Sequence, residues 1–210
     1  MKRIWKKQDF LPENEEDYRL EALKKKILNE GEAIGTQIVK VDGFVNHQID
    51  VRFMSEMGKE FKRRFGDIKV DKILTVESSG IAIACLTAPF FDYPPVVFAK
   101  KTSPNTLIEG SYSAEAKSFT KGTVSLVRVS KKFIEKGDRV LIIDDFLAHG
   151  EASLAMTEII KQAGARVTGI GIVIEKLFQG GGEKLRAAGY RVESLVSISK
   201  INDGIITFSE

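Results

Sequence analysis

The spacing of apolar residues divides most of the chain into alternating helical and extended segments. Leu20, Leu23, Ile27 and Leu28 fall near one face of a helix over residues 20–30, and Gly31 is placed to stop it. Residues 51–65 carry a second stripe of this kind, made of Met54, Met57, Gly58, Phe61 and Phe65. KILTV at 72–76 predicts a strand, 80–88 a helix after a tight turn, and PVVFA at 95–99 another strand. VSLVRVS at 124–130 alternates with period two, as a half-buried strand does, and RVLII at 139–143 is apolar throughout, as a buried one is. The clearest helix covers 152–163, where Ala152, Ala155, Met156, Ile159, Ile160 and Ala163 keep the i, i+3, i+4, i+7 spacing before Gly164. Strands are expected again at 167–174, 192–197 and 205–208. This alternation predicts an α/β fold with a mostly parallel, twisted sheet flanked by helices. In such sheets ligands gather beyond the carboxyl ends of the strands. One stretch resists the pattern: Thr102 to Thr123 is long, polar and irregular, with Pro104, Gly110 and Gly122, and predicts a lid.

Composition narrows the classes. With 210 residues and no linker-like segment, the chain suits one main domain over residues 20–210. Residues 1–19 are charged and aperiodic, an extension compatible with disorder or with docking through Trp5 and Phe10. No apolar run approaches the roughly 18 residues of a membrane span, and the basic residues Lys2, Arg3, Lys6 and Lys7 precede no apolar stretch of a secretory signal. The net charge of +3 comes from 32 basic residues interleaved with 29 acidic ones, without the concentration expected of a nucleic-acid binder. Cys85 is the single cysteine; it is expected to be a small core residue in a protein of a reducing, cytoplasmic compartment.

The chemistry concentrates between Arg139 and Ala163, in RVLIIDDFLAHGEASLAMTEIIKQA. An apolar strand is expected to end in two acids, Asp144 and Asp145. A short loop with Gly150 follows, then the start of a helix. Free backbone N–H groups and the positive end of the dipole make such a helix start a phosphate site, and glycine lets the backbone approach it. The neighbouring carboxylates can accept hydrogen bonds from ribose hydroxyls. Two other readings compete. A Walker B acid needs a GxxxxGK[ST] loop, which the chain lacks, since GGGEK at 180–184 has neither the spacing nor the hydroxyl. Two acids that merely end a strand need no ligand, though uncompensated charge there is costly.

Four apolar residues, two acids and a small-residue loop resemble the motif by which type I phosphoribosyltransferases bind phosphoribosyl pyrophosphate (PRPP). Further segments resemble the bacterial xanthine phosphoribosyltransferase family in order and spacing over residues 20–208. They are LEALKKKIL, KVDGFVNHQID, VESSGIA, VVFAKK, SFTKGT, VLIIDDFLAHGEA, GIGIVIEKLFQ and GYRVESL. The resemblance implies a core sheet with a small hood over the base site, and transfer of phosphoribosyl from PRPP to xanthine, giving xanthosine monophosphate (XMP) and pyrophosphate. It also implies Mg2+, bound mainly through PRPP, and a homodimer. It places Asp144 and Asp145 at the reacting sugar, xanthine at Val39, Asn46 and Lys176, and PRPP at Ala148, His149, Gly150, Glu151 and Ala152.

These residues suit those roles. An amide such as Asn46 both donates and accepts, while Lys176 only donates, which favours a carbonyl over an amino group. Phe146 offers an apolar wall for the base. Ser78, Ser79 and Gly80 open a helix where hydroxyls and N–H groups can hold pyrophosphate, in a loop that carries a strained peptide bond in this enzyme class. Lys100 and Lys101 add cations. The chain departs from the family at His149 and Glu151, where Asn and Gln are usual. It also has Ala148 where hypoxanthine- and guanine-specific relatives place an acid. The alternatives are an enzyme of the same class acting on guanine or hypoxanthine, and a PRPP-binding regulator, for which residues 1–19 are too short to add a DNA-binding domain.

Overall fold

A computed structural model describes residues 15–102, 110–118, 123–202 and 204–209. Five helices and ten strands are distributed along them: α1 Glu15–Glu30, β1 Glu32–Ile34, β2 Ile38–Lys40, α2 Val51–Phe65, β3 Lys72–Val76, α3 Gly80–Thr87, β4 Val96–Thr102, β5 Ser111–Ser118, β6 Thr123–Ser130, β7 Arg139–Leu147, α4 Glu151–Gln162, β8 Arg166–Lys176, α5 Gly181–Ala187, β9 Val192–Asn202 and β10 Ile205–Phe208. A π-helical turn, Asp42–Asn46, joins β2 to α2.

The main sheet has the order β10-β9-β8-β7-β3-β4-β6-β5. Its centre, β9-β8-β7-β3-β4, is parallel, while β10, β6 and β5 are added antiparallel at the two edges. Successive side chains of a strand point to opposite faces, and β7 shows the result. Leu141 and Ile143 join one core with Phe61, Met57 and Ile83, whereas Val140 and Ile142 join the other with Met156, Ile159 and Leu185. Helices α1, α2 and α3 therefore cover one face, and α4 and α5 the other. Phe61 is fully buried, and Gly171 on β8 leaves room for its ring. Phe61→Ala is expected to cost about 3–5 kcal/mol, read as a lowered urea midpoint with an unchanged slope.

The periodic segments fold as expected, and the α2 stripe is buried at every position named. Several boundaries move. Helix α1 begins at Glu15 rather than Leu20, and Arg19 pairs with Glu56 and the buried Glu60 on α2; Leu28 faces solvent. Trp5 and Phe10 lie outside the described residues. Strand β7 does not end at its acids but runs on to Leu147, because pairing with β8 continues through Asp144↔Ile172 and Phe146↔Ile174. The stretch 102–123 is not irregular throughout: Ser111–Ser118 pairs along β6 and is clipped to the end of α4, where Gln162 bonds both backbone groups of Ser113. The remainder of the expected lid, 103–109 and 119–122, lies outside the described residues. Cys85 is exposed rather than in the core, because α3 turns Ile83, Ala84 and Thr87 inward.

Candidate active site at the carboxyl edge of the sheet

Strands β3, β4, β7 and β8 end side by side and deliver the polar residues. Asp144 and Asp145 are 4% and 6% exposed. Burial first, and then the adjacent Asp145 charge, push the Asp144 carboxyl well above its usual range, while Lys101 acts in the opposite direction. Two buried acids held side by side disfavour double ionisation unless positive charge reaches them. Gly80, at the start of α3, packs directly on Asp144. A Cβ there would overlap the Thr75 hydroxyl and an Asp144 oxygen, so only glycine fits.

After β7 the chain makes the short loop 148–150 and enters α4. Gly150 has φ 85° and no side chain caps the helix, which leaves the first-turn N–H groups available to an anion. The loop is supported from behind by the segment that follows β8. Gly181 N–H donates to Ala148 O at 3.0 Å, Lys184 Nζ donates to His149 O at 3.3 Å, and His149 Nδ1 lies 3.1 Å from Gln179 O. That segment is fixed in turn by Glu175, 1% exposed, which accepts two bonds from Arg186 and one from Ser194. Burial alone would raise the Glu175 carboxyl, but these donors hold it below its ordinary value. Glu151, one of the departures from the family pattern, has Lys184 3.9 Å away.

A cleft of about 270 Å³ lies over this loop, lined by Ala148, His149, Gly150, Glu151 and Ala152 together with Lys101, Phe146, Lys176, Gln37 and Gln179. Lys176 Nζ sits 5.5 Å from the centre of the Phe146 ring and donates to the backbone carbonyl of Gln37 on the β1–β2 turn at 2.9 Å. Burial lowers its pKa, so a ligand carbonyl or anion would meet a poorly hydrated ammonium. A second cleft, about 360 Å³, is lined by Asn46, Ser78 and Ser79 with Val45, Ile49, Ile81 and Ala82. The Glu77–Ser78 peptide is cis, and Ser79 makes no side-chain cap bond to α3.

The structure thus brings Phe146, Lys176, Lys101 and residues 148–152 together, and divides the rest. Val39 is not in the cleft wall: the β2 alternation turns it into the core and leaves Ile38 at the cleft. Lys100 is not beside Lys101, since β4 continues through both and sends them to opposite faces. Asn46 shares a cleft with Ser78 and Ser79 rather than with Lys176. Sequence reasoning missed Gln37, Gln179 and the glycines at 180–182. The last lack the spacing of a phosphate loop of their own, but a run of glycines also marks close backbone approach.

The parallel sheet, the acid pair and the helix start form a site suited to a sugar phosphate, and the chain belongs to the phosphoribosyltransferase family: residues 51–204 match the model of the phosphoribosyl transferase domain. Within that family it is similar to xanthine phosphoribosyltransferase 1 of Clostridium perfringens (strain 13 / Type A), 54% identical over 90% of this chain and 100% of that one. It is also similar to the xanthine phosphoribosyltransferase of Clostridioides difficile (strain 630), 51% identical over 90% of this chain and 100% of that one. Solved structures confirm the type I fold. Adenine phosphoribosyltransferase from Thermoanaerobacter pseudethanolicus superposes with TM-score 0.69 at 24% identity, covering 85% of this chain and 99% of that one. The Saccharomyces cerevisiae enzyme gives TM-score 0.68 at 21% identity, covering 85% and 99%.

Proposed function

We propose that this chain is a xanthine phosphoribosyltransferase, which joins xanthine to the phosphoribosyl group of PRPP and releases XMP and pyrophosphate. The observation that carries this reading is 54% identity extending over the whole of a protein of that name. The site geometry supports it, with a buried acid pair, an uncapped helix start and a lysine-bearing cleft in one place.

In this reading the 5′-phosphate sits on the first-turn N–H groups of α4, with Gly150 giving the backbone its approach. Asp144 and Asp145 accept from the ribose hydroxyls and face the positive character that grows on the sugar carbon as its bond to pyrophosphate breaks. A nitrogen of the base takes that carbon, the base loses its proton, and pyrophosphate carries away the bonding pair. Ser78, Ser79, Gly80 and Lys101 are assigned to the leaving group, and Asn46, Phe146 and Lys176 to the base. Mg2+ suits the donors present, since it takes one or two carboxylates alongside substrate phosphates. Among the described residues no group of three or more His, Cys, Asp or Glu converges as a cage would require. The ion would be held mainly through PRPP, with Asp144 and Asp145 as the carboxylates at the site, and would neutralise charge on the departing pyrophosphate. The protein's own contribution is otherwise to position both substrates and keep water out.

The family resemblance supports a homodimer, with residues 1–19 as an extension whose last five residues open α1. The single free cysteine suits the cytoplasm, and among the described residues no helix is long and apolar enough to cross a membrane. The test is pyrophosphate release from PRPP with Mg2+ and, in turn, xanthine, guanine, hypoxanthine and adenine. Xanthine is expected to give the highest kcat/KM. Turnover with none of the four would reject the enzyme and leave a PRPP-binding regulator.

A further inference from the structure

Two amides share the cleft with Lys176, and neither belongs to the residues assigned above to the base. Gln37 stands on the β1–β2 turn and Gln179 follows β8, three residues beyond Lys176, and both line the cleft with Phe146. Gln179 Nε2 donates to Gln37 Oε1 at 3.0 Å, and Lys176 Nζ donates to Gln37 O. The hairpin is thereby tied to the strand end that carries the lysine. The carboxamide oxygen of Gln179 is buried and has no hydrogen-bond partner among the described residues. Such an orphan acceptor carries a desolvation penalty that a bound donor would relieve. The backbone carbonyl of Gln179 lies 3.1 Å from His149 Nδ1, and the residue lines the cleft, so its side chain stands at the cleft wall.

A lysine donor and an amide acceptor side by side complement a lactam edge, a carbonyl adjacent to a ring N–H. Oxopurines present that edge. Adenine presents the reverse, a ring nitrogen acceptor beside an amino donor, and would leave both protein groups unpaired.

We propose that Gln179 is a base-reading residue of this site: with Lys176 donating to a purine carbonyl, its carboxamide oxygen accepts the neighbouring ring N–H, and Gln37 is the positioning residue that holds it at the cleft. The inference rests on the reading of the site as an oxopurine phosphoribosyltransferase, and it supplies an acceptor that Lys176 cannot.

The experiment compares wild type, Gln179→Leu and Gln37→Ala in steady-state kinetics with xanthine, guanine and adenine, varying PRPP separately, with melting curves as a check on folding. For Gln179→Leu, kcat/KM with xanthine and guanine is expected to fall about 10-fold, the worth of one buried hydrogen bond. Activity with adenine should not fall, so the oxopurine preference narrows, and the KM for PRPP should stay within about 2-fold, because Gln179 reaches the phosphate loop only through its backbone. Gln37→Ala should show the same pattern, more weakly. Unchanged kcat/KM with xanthine would overturn the inference. So would an equal fall for every base accompanied by a raised KM for PRPP, which would make Gln179 a support of the loop. Failure of the underlying reading shows differently, as a wild type that turns over no oxopurine.

Discussion

Asp144→Asn will make the free protein more stable and the enzyme much slower. The carboxyl lies 4% exposed beside a second acid, and burial together with the Asp145 charge raises its pKa. An acid whose folded-state pKa lies above the unfolded value of 3.8 binds its proton more tightly when folded. Its contribution is therefore most favourable at low pH and is lost as the pH climbs from that value toward the raised one. Asparagine keeps the shape and removes the titration, so at neutral pH the melting temperature should rise, by about 2–4 °C for each kcal/mol recovered. The slope of stability against pH above about 4 should flatten, since that is where the unfolded carboxyl releases its proton. If the carboxylate faces the reacting sugar, kcat should fall about 10²-fold, as on removal of one preorganised electrostatic group. Thermal melts from pH 4 to 8 and initial rates under saturating PRPP measure the two halves. A variant that melts lower at pH 7 would show the buried carboxylate to be stabilised in the free protein. One that keeps its rate would move the chemistry away from this pair.

Gly181→Val is the second large effect. A Cβ at this position would overlap Ala148 O and crowd Gly150 N and the His149 carbonyl carbon. All of these are backbone atoms, which cannot rotate away. The loop on which the phosphate is proposed to sit must then shift, and a displacement of about 1 Å can cost about 10²-fold in rate. The KM for PRPP should rise at least about 10-fold, with a stability loss of about 1–3 kcal/mol from overpacking. Gly180 provides the control. It has φ 73° and nothing within 4 Å of where its Cβ would lie, so Gly180→Asn, a residue that tolerates this backbone, should lose a little stability and leave the KM for PRPP unaltered. Equal kinetics for the two variants would mean that the contact between Gly181 and Ala148 does not set the loop.

Much of this architecture could be read from the chain before any coordinates. The helices α2 and α4 and the strand β6 announce themselves because one face of each meets a core, and burial imprints its period on the residues, while β3 and β8, buried on both faces, read as apolar runs. What was not legible carries a weaker period or none. Strand β5 buries Ala116 and packs Tyr112 and Ala114 against the core, an alternation written in residues of modest hydrophobicity. Strands β1 and β2 have three residues each, too few to show a period. Helix α5 begins Gly-Gly, which locally signals a turn, and it is helical because Leu185 and the Glu175–Arg186 pair dock it. At the site, the acid pair and the Gly150 loop were visible because one continuous segment contains them. The cleft wall was not, since Gln37 and Gln179 are far apart in sequence and meet only through the fold. For the same reason the inward turn of Val39 and the separation of Lys100 from Lys101 were not legible: which way a strand residue points depends on where the strand begins and ends, and that is set by its pairing partner.

The stretch from Glu175 to Arg186 has a consequence for recombination between relatives. It holds the cleft lysine, the buried carboxylate and the glycines that touch the loop after β7, so the lysine proposed to read the base and the buttress of the loop proposed to hold the sugar phosphate are inherited on a single cassette. A chimera that exchanges only residues 176–179 would import a foreign base wall onto a buttress shaped for another sequence. One that exchanges 175–186 together with the loop 148–151 would keep both halves in register, and that larger block is the natural unit for transplanting base preference between members of this family.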